Sequence, residues 1–365
     1  MTTPFSSVQV KPDWEEFVAC IRRKGTPRRV HYIELFLDGE VQQAIGKRFN
    51  VWDGLDPADP AHVAKGQVRL QRFLGYDYVR QGLDDLYFPL KSSTSEDTAS
   101  EMPRRGGRNY VSEGKGIVTN WEEFEAYPWP DPAKPSAILS LQWYEKNLPD
   151  DMCVIGSGGF GHFAELLTWL MGYETLCYAL YDDRALVRAI ADKLMEIYTV
   201  ALQRILQFKR VRALWGSDDM GFKTGTLIAP DDLREFVLPG HKKMAEMTHA
   251  AGLPYILHSC GNLESIMEDL IEDVKIDARH SFEDAIEDVR DVKRRDGDRI
   301  ALLGGIDVDF LCRADEQSIR ERVRDTLKVC MPGGGYCLGT GNSVANYIPL
   351  NSYLAMLDEG RRFVA

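Results

Sequence analysis

Short apolar runs rich in β-forming residues recur through this chain, and most are followed by a stretch whose apolar residues repeat with the helical period. The runs lie at His31–Phe36, Tyr76–Arg80, Met152–Ile155, Val211–Trp215, Tyr255–His258, Val274–Ala278, Ile300–Leu303 and Gly335–Leu338. Alternating strands and helices indicate parallel strands joined by right-handed crossovers. The pattern predicts an α/β protein with one (β/α)8 TIM-barrel domain over residues 1–365, and a doubly wound open sheet is the alternative.

Two segments depart from this alternation. The stretch Trp14–Ile21 is amphipathic and predicts an N-terminal helical extension ahead of the first strand. Between residues 91 and 116 the chain is rich in Ser, Thr, Glu, Gly and Arg and has no apolar period. This composition predicts a long insertion, either a small hairpin or a partly ordered loop.

Composition limits the classes of partner that the chain can have. It carries 56 acidic and 44 basic side chains, a formal charge of -12, which argues against a nucleic-acid-binding surface. No stretch approaches the roughly 18 consecutive apolar residues of a membrane span, and the N-terminus has no charged region followed by an apolar run. We therefore expect a soluble cytoplasmic protein whose seven cysteines are reduced thiols.

The ends of the predicted strands carry the residues that could do chemistry. In a TIM barrel the catalytic groups lie at the carboxyl ends of the strands. His258 and Cys260 occupy one such end, and Asp218 and Asp219 occupy another. Residues two apart on a strand point to the same side, so the His258 imidazole and the Cys260 thiolate can reach one point. Cys337 ends the last predicted strand, and closure of the barrel would bring it to the same mouth.

These residue types favour a metal site. Two thiolates and one imidazole suit zinc, and three protein ligands with an exchangeable fourth position are typical of a catalytic zinc site. The alternative is that His258 is a core histidine and that both cysteines are small buried apolar residues. Asp218 and Asp219 could orient a substrate or act as a general acid or base, and helix N-capping is the other interpretation. The glycine-rich run at residues 156–161 indicates close backbone approach in a loop more than a nucleotide site.

Five short motifs extend along most of the chain, at Pro128–Pro132, Pro230–Pro239, Leu257–Asn262, Leu303–Asp307 and Gly339–Asn342. In them the chain resembles the uroporphyrinogen decarboxylase-like superfamily, which includes decarboxylases and corrinoid-linked methyltransferases. The methyltransferase branch is similar in carrying His-x-Cys and a distant Cys as zinc ligands, which implies that role for His258, Cys260 and Cys337. Glu283 resembles the acidic fourth ligand of related thiol methyltransferases, and His280 is its rival.

The resemblance implies a zinc-dependent methyltransferase, or a demethylase component, that moves a methyl group between a corrinoid and a small acceptor of the thiol type. Zinc that binds a thiol lowers its pKa and holds it as a nucleophilic thiolate, which suits this chemistry. The chain contains no Asp-x-His-x-x-Gly corrinoid-binding pattern, so the corrinoid would come from a partner protein or be presented free.

Two other functions fit the same resemblance. One is a metal-independent decarboxylase of a tetrapyrrole or another carboxylated substrate, which would need a basic pocket. Decarboxylases of the superfamily carry arginines near the first strand, whereas here Arg28 and Arg29 precede that strand and Glu34 lies in it. This departure favours the methyltransferase. The other function is a barrel that binds a corrinoid or tetrapyrrole without turnover.

Overall fold

The computed structural model describes residues 5, 8–99, 102, 104, 107–114, 116–157 and 159–364. Within these residues the strands are β1 (Tyr78–Gln81), β2 (Ser92–Ser95), β3 (Arg108–Val111), β4 (Cys153–Gly156), β5 (Val211–Ser217), β6 (Gly221–Phe222), β7 (Gly225–Thr226), β8 (Tyr255–His258), β9 (Ala278–His280), β10 (Ala301–Leu303) and β11 (Tyr336–Cys337).

The α-helices of the described residues are α1 (Trp14–Ile21), α2 (Gly39–Phe49), α3 (His62–Leu74), α4 (Trp121–Ala126), α5 (Leu139–Asn147), α6 (Phe163–Met171), α7 (Tyr173–Asp182), α8 (Arg184–Ile205), α9 (Pro230–Phe236), α10 (Leu238–Ala250), α11 (Val289–Asp296), α12 (Val308–Arg313), α13 (Glu316–Cys330) and α14 (Leu350–Arg362). Short 3-10 turns at Pro135–Ile138 and Glu264–Ile266 and a π-helical segment at Asp269–Val274 complete the helical structure. None of the described helices is both long and apolar enough to cross a lipid bilayer.

A curled parallel sheet forms the centre of the fold. Its strands follow the order β1-β4-β5-β8-β9-β10-β11, and every neighbouring pair is parallel. The architecture is α/β and consistent with a TIM-like barrel. The predicted first strand, His31–Phe36, is reduced to isolated parallel bridges beside β11, at Tyr32 with Leu338 and at Leu37 with Val344.

The other predicted strands of the sheet are present with small shifts at their ends. The largest shift is at β9, which was predicted at Val274–Ala278 and begins only at Ala278. The cause is local, since residues up to Val274 form the π-helical segment and Lys275 adopts left-handed backbone with φ 63°. The predicted helix at Trp14–Ile21 is confirmed as α1.

Helix α8 illustrates how the sequence builds the outer layer. The Asp183 side chain accepts the N–H of Leu186 and caps the first turn. Residues such as Leu186, Ile190, Leu194 and Ile197 recur every three or four positions and are all buried, so one face of the helix packs inward.

The predicted insertion contains a hairpin in which β2 and β3 pair antiparallel. Arg108, at the start of β3, hydrogen-bonds Asp38 and Asn346, so the hairpin is tied to the segment before α2 and to the loop before α14. Parts of the predicted insertion, residues 100, 101, 103, 105, 106 and 115, lie outside the described residues.

Candidate metal centre

Two strand ends bring three ligand-type side chains together. Asp219 follows β5, while His258 ends β8 and Cys260 comes two residues later. One ligand atom from each residue lies within 4.8 Å of the other two. His258 Nε2 is 3.2 Å from Asp219 Oδ1 and 3.5 Å from Cys260 Sγ, and the Cys260 N–H donates to the same carboxylate oxygen at 2.9 Å. Imidazole nitrogen, thiol sulfur and carboxylate oxygen are all zinc ligands in proteins.

A second histidine fixes the ring of His258. Nδ1 of His258 lies 2.7 Å from Nδ1 of His280, the last residue of β9, and both rings are buried. Burial lowers the pKa of His280 well below its ordinary value, and the charges of His258 and Arg80 add to this effect. His280 is therefore neutral and can accept the His258 Nδ1–H. With a metal bound, that bond would leave the Nε2 lone pair of His258 for the cation, as in metal-binding histidines. Without a metal, Nε2–H of His258 can donate to the Asp219 carboxylate, 3.2 Å away.

The Asp219 carboxylate is the ionised ligand-type group of the site at neutral pH. Burial alone would raise the pKa of Asp219, but the hydrogen bond and charge of His258 and the bonds from Cys260 lower it to about 2. Burial raises the pKa of the Cys260 thiol, and the Asp219 carboxylate raises it further. A divalent cation would favour the thiolate and would be shared by all three side chains.

Asp218 and Asp219 are neighbours in the sequence but have different surroundings. Asp218 is buried and accepts the N–H groups of Ala164 and Glu165, at 2.8 and 2.9 Å, in the first turn of α6. Its Oδ2 also lies 2.9 Å from Nε2 of His241. Asp218 is not the N-cap residue of α6, which is His162, but it accepts N–H groups of the first turn from outside that helix. Asp219 instead faces His258.

The structure does not bring Cys337 to this group. The fully buried Cys337 thiol hydrogen-bonds the thiol of Cys20 in α1. The chain continues beyond β11, and the residue that reaches the group is Asn342, whose Nδ2 donates to Cys260 Sγ at 3.2 Å. At about 3.3 Å per extended residue, five further residues can carry the chain roughly 16 Å past Cys337. Glu283 is half-buried in the loop after β9 and is also outside the group.

A cavity of about 670 Å³ opens onto the three side chains. Its wall includes Arg80 at the end of β1 and the pair His162 and Glu165 at the start of α6. Burial alone would lower the pKa of His162, but the hydrogen bond and charge of Glu165 raise it, while burial raises the pKa of Glu165. None of these residues was predicted to be functional, although Arg80 could have been noticed as a charged residue ending a predicted strand.

The glycine-rich run provides the close approach that the sequence indicated. Gly161 has φ 81°, and a Cβ at this position would lie 3.0 Å from Cα of Gly216 in β5. This contact seats the loop between β4 and α6 on the neighbouring strand and places His162 at the cavity. Gly158 lies outside the described residues.

Comparisons with known proteins give a family and a fold. The family model described as Uroporphyrinogen decarboxylase (URO-D) matches residues 110–363. A solved methyltransferase from Methanosarcina mazei aligns with a TM-score of 0.66 at 16% identity, over 95% of this chain and 98% of that chain. A candidate vitamin-B12 independent methionine synthase from Listeria monocytogenes aligns with a TM-score of 0.49 at 14% identity, over 93% and 97% of the two chains. No curated protein sequence matches significantly.

Proposed function

Since this chain belongs to the uroporphyrinogen decarboxylase (URO-D) family, we propose that it is a zinc-dependent methyltransferase whose metal is held by Asp219, His258 and Cys260. The observation that supports this proposal is the convergence of one oxygen, one nitrogen and one sulfur ligand within 4.8 Å at the cavity. Three protein ligands leave a fourth position for an exchangeable group, as in catalytic zinc sites. The role predicted for Cys337 and Glu283 as ligands remains a prediction.

Zinc bound here would act as a Lewis acid that lowers the pKa of a coordinated thiol and holds it as a thiolate. The chain's own residues would orient and enclose the reactants. His280 fixes the His258 ring, and Asn342 donates to the sulfur of Cys260. The pair His162 and Glu165 lies on the cavity wall and can hold or release a proton beside a leaving group.

The methyl group would pass between a corrinoid and a small, thiol-type acceptor, either as a complete reaction or as one step of a demethylase. The corrinoid would come from a partner protein or be presented free. We also propose that the chain is a single domain over residues 1–365, in which residues 31–37 complete an eight-stranded barrel beside β11. The parallel bridges of Tyr32 and Leu37 support this closure.

A decarboxylase is the second candidate, and the family description favours it. Decarboxylation of a tetrapyrrole with many carboxylates would require several cationic side chains in the cavity. Among the described residues that line the cavity, Arg80 is instead the single arginine, and Glu165 and Asp219 contribute carboxyl groups. This charge balance supports a substrate with fewer carboxylates and therefore favours the methyltransferase.

The first experiment is metal content by mass spectrometry on protein purified without chelators. We expect close to one zinc per wild-type chain, loss of zinc in Cys260→Ala and Asp219→Ala, and retention in Cys337→Ala, with circular dichroism as the control for folding. Loss in a folded Cys337→Ala would restore Cys337 as a ligand. A folded wild-type protein that neither contains zinc nor takes it up would refute the zinc site and leave the decarboxylase as the better candidate.

The second experiment tests the reaction itself. Zinc-loaded wild-type protein is mixed with methylcobalamin and 2-mercaptoethanol, and the loss of the methylcobalamin absorption spectrum is followed. We expect demethylation of the corrinoid at a rate that depends on the thiol and that is lost in Cys260→Ala. Methyl transfer that proceeds equally in Cys260→Ala would contradict the role given to the metal centre.

A further inference from the structure

The guanidinium of Arg80 lies on the cavity wall and has no carboxylate partner among the residues that the structure describes. Arg80 is the third residue of β1, and its Cζ stacks 4.5 Å from the ring centroid of the fully buried Trp215. Its Nε donates to Ser157 Oγ at 3.2 Å. Throughout the described part of the chain, no Asp or Glu oxygen lies within 4.0 Å of the Arg80 guanidinium, which sets it apart from arginines that form surface ion pairs.

This arrangement leaves an uncompensated charge at the cavity. Burial lowers the pKa of Arg80 to about 10, so the side chain remains charged at neutral pH. A partly buried cation that lacks a counter-ion is costly, and fold stability is better served by an aliphatic residue. The two Nη groups have no hydrogen-bond acceptor among the described residues and are the donors that a ligand anion would meet.

Ser157 extends the same donor surface. Its hydroxyl is buried and accepts from Arg80 Nε, so its own proton is available for another acceptor. Both residues line the cavity that contains Asp219, His258 and Cys260. Planar guanidinium groups bind carboxylates through two parallel N–H···O bonds. The two Nη groups of Arg80, which have no acceptor among the described residues, can form such a pair of bonds.

We propose that Arg80 and Ser157 form a subsite for the carboxylate of a small monocarboxylic acid, and that this acid is the substrate that gives or receives the methyl group. Its role in methyl transfer rests on the proposed function, whereas its binding at Arg80 does not. One cation balances one monoanion, and the nearby carboxyl groups of Glu165 and Asp219 disfavour a ligand with higher negative charge.

The sheet limits the size of this acid. Arg80 is on β1 and His258 is on β8, which are separated in the sheet by β4 and β5. Three inter-strand steps of about 4.8 Å give at most roughly 14 Å between the two backbones, and both side chains point into the same cavity. Contacts run between them from Arg80 to Trp215, then to His280 at 5.4 Å between ring centroids, and on to His258. The carboxylate and the reacting atom are therefore separated by only a few bonds.

The test compares an acid with its neutral amide. Calorimetry measures binding of 3-mercaptopropionate and 3-mercaptopropionamide to zinc-loaded protein, and of propionate and propionamide to protein freed of metal by chelation. A charge-assisted pair predicts that the wild type prefers the acid in both series by about 10-fold or more. We expect Arg80→Gln to reduce this preference below about 3-fold and Arg80→Lys to retain part of it.

Controls separate this subsite from general effects. Arg313→Gln removes an exposed arginine that does not line the cavity and should leave the preference intact. If Arg80→Gln does not fold, Arg80→Lys and Ser157→Ala carry the test, with a smaller loss of preference expected in each. An acid preference that is equal in wild type and Arg80 variants overturns the proposal, as does inorganic phosphate that binds more tightly than the acid. If only the zinc proposal is wrong, the metal-free protein should still prefer propionate to propionamide.

Discussion

Replacing Asp218 with alanine should destabilise the fold without removing the metal. Replacing Asp219 with alanine should remove the metal and reduce the stability of the fold less. The Asp218 carboxylate accepts two backbone N–H groups of α6, from Ala164 and Glu165, and contacts buried His241. Hydrogen bonds to a charged group contribute about 1.5–3 kcal/mol each, and the three share one carboxylate and are not additive. Losing one partner of a buried charged network costs about 3–5 kcal/mol, which is the decrease we expect in the free energy of unfolding.

Urea unfolding of metal-free protein provides the measurement, because bound metal would itself stabilise the native state. Fluorescence and circular dichroism followed together would show whether the transition has one step. For Asp219→Ala we expect a smaller loss of about 1–2 kcal/mol, since its carboxylate is only partly buried and bonds the Cys260 N–H and His258 Nε2. An Asp218→Ala protein that is as stable as the wild type but has lost zinc or methyl transfer would show that Asp218 belongs to the chemistry.

Two further predictions concern groups around the site. Burial raises the pKa of Glu34 to about 8, so the folded protein holds this proton more tightly than the unfolded chain does. The stability that comes from this protonation is complete below about pH 4.5 and is lost as the pH rises through 8. The free energy of unfolding of Glu34→Gln, measured by urea titration, should therefore rise by about 3–5 kcal/mol relative to the wild type between pH 5 and 8. Free energies of wild type and variant that change in parallel with pH would contradict this prediction. His280→Ala should weaken zinc binding 10–100-fold in competition with a chromophoric chelator by freeing the His258 ring, and unchanged affinity would exclude that support.

The environment of Glu34 shows how closely the first segment is joined to the last. Its two carboxyl oxygens accept the backbone N–H of Thr340 at 2.8 Å and the hydroxyl of Thr340 at 2.6 Å. The sequence suggested that Glu34 made the first strand unsuited to anionic substrates. Because this carboxyl is buried and its pKa is raised, it is neutral near pH 7 and serves as a link between the segments before α2 and after β11.

Local sequence determined much of this protein. The alternation of apolar runs and helical periods predicted a parallel α/β sheet, and the amphipathic stretch Trp14–Ile21 predicted helix α1. The spacing of His258 and Cys260 was enough to predict a shared point for their side chains, because residues two apart near a strand end point to the same side. The motifs identified the family to which the chain belongs. These features depend on neighbours within a few residues, which is why they can be read without the tertiary structure.

The tertiary structure decided which distant residues join that pair. Cys337 was predicted from its position at the end of the last strand, but the chain runs on for five residues before Asn342 reaches Cys260. Asp219 and His280 meet His258 because β5, β8 and β9 are neighbours in a fixed register, with Ser217 opposite His258 and His258 opposite His280. Register and the height of each strand end depend on packing of the whole sheet, so a single strand's sequence does not contain them.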